Sequence, residues 1–527
     1  MKVEEKRLPA EAYKALEDIV GPEYITDDPV ILESYSFVWG NELLFGNRFA
    51  PFRPLAVILP GSAEEVQAIV KVCNRFKIKF KAHSTGFETT SMSGTEPFLM
   101  IELKRLNRII SIDEKNMIAV VEPYVTHAEL MYESLKRGLC FNALGAGPSA
   151  SVVASSACHF GAGFHAIRSH WDGQNLLGAE WVLPDGEIVR LGSMAADAGW
   201  FTADGPGLNL RAVLRGITGA NGGHGIITKV AVKLTPWYGP SKLKLCETPP
   251  LYGFEMPENF KLYVVAFRSA SSLVDFLYSL QEEDLAFAAY KLPLGAMTYI
   301  QVTTESNDQA WEVFKAKKDI VARANYSVIV LLDAISPKEM EVKEMCFRKL
   351  LEATGGEILS LEEREEKALF VQLLTGVGTF RESFRAAGSF AISGIYDTTA
   401  DTLAKMAEVI TRDVMLKYMK EGKIVYSEGQ YWLCPVGDQH YHMEQVFSYD
   451  AADPASIKAV REIVESSVRL MIEQKFGPHG DGFLSFNDNV HNIAGPACLD
   501  YHLKIRAIKK ALDPNLLSES SSYVTPK

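Results

Sequence analysis

The chain has 527 residues, of which 47% are hydrophobic and 23% charged. That is too long for one core, ample for two or three domains, and ordinary for a globular protein. Its formal net charge of −12 argues against a nucleic-acid partner and against docking on an anionic membrane surface. No apolar run approaches the length of a membrane span. The charged amphipathic start, MKVEEKRLPAEAYKALEDIVG, lacks the apolar stretch of a signal peptide. The seven cysteines are scattered, odd in number and without a CxxC pair. They predict reduced thiols in a cytoplasmic protein and supply no iron–sulfur ligand spacing.

Residues 8–48 read as helix and loop, and PLAVILP at 54–60 as a short buried strand. A helix follows in GSAEEVQAIVKVCNRF, with Ser62 as N-cap and Glu65 as its reciprocal capping-box partner. Val66, Ile69, Val70 and Cys73 recur at helical spacing. Ile78 and Phe80 open another strand, and a polar loop of small residues runs from Ala82 to Ser93. Strands are predicted at 98–103 and 117–123, and a helix from Thr126 to Arg137. Gly138–Ala166 is dense in Gly, Ala and Ser, which suits close approach to a flat ring system. Two GxGxxA matches lie in it, Gly145–Ala150 and Gly161–Ala166. Neither follows a buried strand, so a dinucleotide fingerprint is rejected.

Leu176–Gly192 reads as a hairpin turning at Pro184-Asp185-Gly186. The glycine cluster at 219–225 runs into an alternating strand that Pro236 is expected to stop. A domain boundary falls in the turn-rich stretch 236–250, and 260–475 alternates apolar strands with charged helices. The domain reading is a helical segment 1–48, a first domain 49–240, a second 241–495, and a closing segment 496–527.

Taken in order, VILPGSAEEVQAIVKVCNRF, IELKRLNRIISIDEKNMIAVVEPYVTHAEL, GAEWVLPDGEIVRLGS, NGGHGIITKVAVKLTP and IKKALDPNLL resemble the vanillyl-alcohol oxidase / PCMH-type FAD-binding superfamily. The resemblance implies an α+β fold with a two-subdomain FAD-binding domain and an α+β cap over the flavin. It implies that the cofactor does the redox chemistry while the protein orients and polarises. Cofactor-binding residues carried over are His83, Ser84, Thr85, Gly86, Phe87, Glu88 and Thr89 in the first loop. Pro148, Ser149, Ser155, Gly161, Gly223, Gly225 and Ile226 complete that set. Many covalent relatives carry a His at the Phe87 position, so the FAD here is expected to be non-covalent.

CPVGDQHYHMEQVFSYD and FGPHGDGF resemble the HxGDGNxH and EHGxG metal motifs of the D-lactate/glycolate dehydrogenase branch. Two ligand positions are taken by Pro435 and Pro478, so no metal is expected. The preferred reading is oxidation of a 2-hydroxy acid to a 2-oxo acid by hydride transfer to flavin N5. His442 or His479 would accept the hydroxyl proton, with His440 a further candidate read as facing away from His442. Arg385, and behind it Arg381, would pair with the substrate carboxylate.

A second reading is a para-substituted phenol or aryl-alcohol oxidoreductase, with Tyr431, Tyr441 and Tyr501 as candidates. A third is a flavin-containing electron-transfer or non-catalytic subunit of a larger complex. The partners expected are a small-molecule substrate and an electron-accepting protein of iron–sulfur or electron-transfer flavoprotein type.

Overall fold

The structure, a computed structural model, describes residues 7–37, 39–46, 52–86, 96–159, 161–193, 199, 209–215, 223–247, 251–291, 303–317, 324–378, 383–426, 429–437, 440–476 and 493–518. Two sheets build the first half. One has the order β1-β2-β4-β3, from Ile25–Thr26, Ala56–Ile58, Phe80–His83 and Leu99–Glu102. Strands β2, β4 and β3 are parallel, and β1 joins antiparallel to β2. A parallel pair needs a crossover, and the helix Ala63–Phe76 provides it by burying Val66, Ile69, Val70 and Cys73. Ser62 Oγ accepts from Glu65 N at 3.1 Å. The Glu65 carboxylate reaches back to accept from Gly61 N at 2.7 Å, one residue beyond the expected reciprocal bond to Ser62.

The second sheet is antiparallel, in the order β5-β6-β10-β8-β9. Its strands are β5 Ile109–Asp113, β6 Ile118–Val121, β8 Leu176–Val182, β9 Ile188–Arg190 and β10 Ile226–Lys233. The β8–β9 hairpin turns where expected, with Gly186 at φ 89° donating its N–H to Leu183 O at 2.8 Å. Pro236 does not simply end the pairing. It leaves β10 but enters a short antiparallel ladder, β11 Thr235–Pro236 on β7 Leu139–Cys140.

After a small ladder of β12 Leu245–Glu247 on β13 Gly253–Phe254, the second half is a seven-stranded sheet. Its order is β17-β14-β16-β15-β19-β20-β18. The strands are β14 Phe260–Ala266, β15 Ala286–Lys291, β16 Ser327–Asp333, β17 Glu357–Leu359, β18 Ser389–Thr398, β19 Trp432–Pro435 and β20 Tyr441–Tyr449. Helices Ala270–Glu282, Pro337–Thr354, Ala400–Ile410 and Pro454–Glu473 cover one face, placing Leu273, Phe347, Leu403 and Ile463 in a core with Leu433, Tyr441, Met443 and Phe447. The other face packs on the helix Glu363–Thr375 and on Ala143, Ala162, Phe164 and Ala166 of the first half.

Two further contacts bind the halves and close the first one. Arg168 makes a two-pronged bond to Asp333, with N–O distances of 2.6 and 2.7 Å, and the aspartate is fully buried. The chain also returns after the cap. Phe80 N donates to Leu517 O at 2.9 Å, and Gly225 N donates to Ser518 Oγ at 2.9 Å. Lys509, on the helix Tyr501–Leu512, bonds Asp513 and the carbonyls of Gly223 and Ser518. Among the described residues no helix is long and apolar enough to cross a membrane, and all seven cysteines are free thiols.

Candidate active site

In the first half, His83 and Glu102 end the parallel strands β3 and β4 and are direct neighbours across them. His83 Nδ1 stands 2.8 Å from Glu102 Oε2, and Tyr35 OH donates to that same oxygen at 2.9 Å. His83 Nε2 and Glu102 Oε1 are buried without a hydrogen-bond partner among the described residues. Buried polar atoms left open at the carboxyl ends of parallel strands suit a polar ligand there. Ser84, Thr85 and Gly86 follow, half-buried, with Gly86 at φ 72°. Phe87, Glu88 and Thr89 lie outside the described residues, as do His479, Pro478 and Arg381.

The glycines of 142–173 are packed tightly against the protein itself. A Cβ at Gly161 would meet Asp172 Oδ2 at 2.4 Å, and one at Gly163 would meet Ala143 O at 2.3 Å. At Gly225, φ is 91° and a Cβ would meet Val182 O at 2.2 Å. The protein's own backbone and side chains leave no room for a Cβ at these glycines. Asn142 Nδ2 donates to Gly161 O at 3.0 Å and to Asp172 Oδ1 at 2.9 Å. His127 Nδ1 is 3.1 Å from Asn142 O, and its Nε2 is 2.9 Å from Ser155 Oγ and 3.2 Å from Asp172 Oδ2. Ser155 therefore works inside the platform, while Pro148 is half-buried and Ser149 exposed at its edge. Ile226 is buried at the start of β10, and Gly223 is held through its carbonyl by Lys509.

The cap supplies the charged cluster. Side chains alternate across a strand. With Leu433, Tyr441 and Met443 in the helix-covered core, Trp432, Cys434, His442 and Glu444 face the first half. His442 is opposite Asp397 on β18 and Cys434 on β19. Its Nδ1 lies 2.9 Å from Asp397 Oδ1 and its Nε2 lies 3.2 Å from Glu444 Oε1. Burial alone would lower the imidazole pKa, but the two carboxylates outweigh it and raise it to about 9. Burial would likewise raise Asp397, and the His442 and His440 rings instead hold it near about 2. His442 thus has a carboxylate at each ring nitrogen, an arrangement that favours its protonated form.

The reading of His440 as facing away is corrected. Residues two apart along a strand share a face, and His440, just before β20, reaches the same Asp397 Oδ1 at 3.5 Å. The cluster meets the first half directly. The Trp432 ring lies on Gly145, where a Cβ would approach it at 2.7 Å. His170 packs on Gly437, and Trp171 tilts against His440 with centroids 5.8 Å apart. Arg385 lies elsewhere: its Nε donates to Asn307 Oδ1 at 3.0 Å and its Nη1 to Thr304 O at 3.2 Å. Tyr431 and Tyr441 are buried in the helix-covered core and Tyr501 is exposed, so none of the three faces this cluster. Glu444 was missed in the sequence, although its place two residues after His442 puts it on the same strand face.

Residues 54–192 match the FAD binding domain family. The 4-cresol dehydrogenase [hydroxylating] flavoprotein subunit of Pseudomonas putida is 24% identical over 524 residues, covering 93% of this chain and 91% of that one. The glycolate oxidase subunit GlcD of Bacillus subtilis is 27% identical over 187 residues, 35% of this chain and 37% of that one. The chain is an FAD-linked oxidoreductase. The oxidoreductase shares its fold with 4-ethylphenol oxidase from Gulosibacter chungangensis, at a TM-score of 0.72 and 21% identity, covering 98% of this chain and 97% of that one. FAD is its cofactor, and the α+β, PCMH-type architecture expected from the sequence is the one observed.

Proposed function

We propose that this FAD-linked oxidoreductase oxidises a neutral hydroxylated aromatic compound, a phenol or an aryl alcohol. The substrate would lie between the β19–β20 face of the cap and segment 142–173. The observation that carries this reading is the row of Asp397, His442 and Glu444, in which each ring nitrogen of His442 faces a carboxylate that favours its protonated form. Two negative charges and one positive leave the three groups with one net negative charge. A substrate carboxylate beside them would meet that charge in a poorly screened interior. Arg385, the residue expected to receive it, is turned to Thr304 and Asn307. The relative alike over nearly the whole chain is named for a cresol, whereas the glycolate oxidase likeness spans about a third.

FAD, when bound, supplies the two-electron oxidant. His83, Ser84, Thr85 and Gly86 would hold its polar part at the ends of the parallel strands, without a covalent bond, and Pro148 and Ser149 would border it. Its two carboxylate neighbours favour the protonated ring, so His442 would orient rather than accept. Its Nδ1–H is fixed by Asp397 and its Nε2–H points Glu444. Glu444 is the carboxylate of the row with an open side, 24% exposed against 4% for Asp397, and it takes the substrate hydroxyl proton. Glu444→Gln keeps the shape and removes the acceptor, so flavin reduction should slow by about 10²–10⁴-fold while the flavin spectrum stays unchanged.

The 2-hydroxy acid reading keeps the support of the glycolate oxidase likeness and of the motif at 434–450. Anaerobic mixing separates the two. Bleaching by 4-alkylphenols and not by D-2-hydroxy acids supports the aromatic reading, and the reverse overturns it. Some relatives are named as subunits, which supports an electron-accepting protein partner. A flavin that no small substrate bleaches but that a purified electron carrier reduces would instead favour an electron-transfer role.

A further inference from the structure

Three tryptophans are buried among the described residues, Trp181, Trp237 and Trp432. Two of them satisfy their indole N–H with a carbonyl. Trp181 Nε1 donates to His224 O at 2.6 Å, and Trp237 Nε1 donates to Pro240 O at 3.0 Å. Trp432 is 7% exposed and its Nε1–H has no partner among the described residues. A buried donor left unpaired is costly, and native proteins rarely leave one unless something else completes it. The ring is packed on several sides. It lies on the backbone of Gly145, with Phe164 at 6.1 Å on one side and His442 at 5.2 Å on another.

Trp432 and Glu444 are direct partners across β19 and β20. Such pairs stand close on one sheet face. One is a fixed donor that cannot accept, and the other, when ionised, is an acceptor that cannot donate. A hydroxyl group needs both at once. We infer that Trp432 is the substrate-orienting donor: its indole N–H bonds the oxygen of the substrate hydroxyl while that hydroxyl's proton points to Glu444. This rests on the aromatic-substrate reading above and adds a specificity rule to it. The site selects for a ring-bound oxygen at one fixed place and discriminates against the same ring without it. A carbonyl oxygen of the flavin ring offers the same acceptor chemistry, so the test must tell the two sources apart.

Holoenzyme and Trp432→Phe, which keeps the ring and removes the N–H, would each be titrated with 4-ethylphenol and with ethylbenzene. Binding is followed by perturbation of the flavin absorbance in an anaerobic cell. The wild type should prefer 4-ethylphenol, and the variant should lose about five- to tenfold in affinity for it with ethylbenzene unchanged. Equal wild-type affinity for the two compounds overturns the inference without any variant. Equal loss for both compounds in the variant overturns it as well, because that reports damaged shape. A variant that sheds FAD on dialysis and shows a shifted flavin band, with phenol preference intact, assigns the N–H to the flavin and overturns the substrate role. Absence of any phenol binding in the wild type, with perturbation by a D-2-hydroxy acid, brings down the underlying reading instead.

Discussion

Each half of the molecule buries a histidine against an aspartate, and the two arrangements differ in where they lead. His127 in the first half touches Asn142 O, Ser155 Oγ and Asp172 Oδ2, all fully or almost fully buried. Its partners are mostly neutral, and they tie Gly161 and the π-helical turn Ala154–Cys158 into a platform. His442 in the cap touches two carboxylates, and its row runs outward to Glu444 and to His440, which is 37% exposed. Burial of an imidazole is thus no sign of chemistry by itself. The distinguishing features are charge on both sides and a row that reaches partly exposed side chains. The first histidine ties the platform together, and the second is the one proposed to hold a reacting group.

The same substitution at both sites tests that contrast most severely. His442→Phe removes the cation and leaves Asp397 and Glu444 facing an apolar ring, so unfolding in urea should show a loss of about 3–5 kcal/mol. Similar losses at the two sites would break the comparison. A smaller effect follows from pH. The folded protein holds the His442 proton more tightly than an unfolded imidazole with its pKa of about 6.5 does. That stabilisation is fully present below about 6.5 and fades as pH climbs through about 9. Asp397, held low, contributes in the opposite sense. Its share is present above about 3.9 and is lost as pH falls towards about 2. Wild-type melting curves should therefore weaken through pH 9, and those of His442→Phe should lack that step. The smallest effect belongs to His127→Phe, which breaks hydrogen bonds while keeping a ring of similar size. It should cost about 1–3 kcal/mol and leave the alkaline limb unchanged.

The legible part of the fold was local. Val66, Ile69, Val70 and Cys73 declare one helix face, and Gly186 declares its hairpin turn. Strand β1 escaped because two residues carry no period, and it exists only through pairing with Val57 and Ile58. The ladder at Thr235–Pro236 depends in the same way on Leu139 and Cys140, far back in the chain. In the site, His442 and His440 were visible as residues, but their partner was not. Asp397 meets His442 through a register set by β18 and β20, which no local spacing encodes. Glu444 could have been found from the period of two. The prolines at 435 and 478 drew the reading towards a lost metal site instead. The glycines at 161 and 163 were seen as special, but the atoms crowding them, Asp172 Oδ2 and Ala143 O, come from the folded packing.

The return of the chain after the cap has a consequence for how the protein is made. Asn515 bonds Asn74 across 441 residues, and Leu517 lies against the start of β3. During synthesis, β3 leaves the ribosome early and then waits while the whole cap is translated. Its last edge contact cannot form until the residues around 517 emerge. The sheet whose strand ends are proposed to hold FAD is therefore among the last parts of the protein to be completed, although it is among the first to be translated.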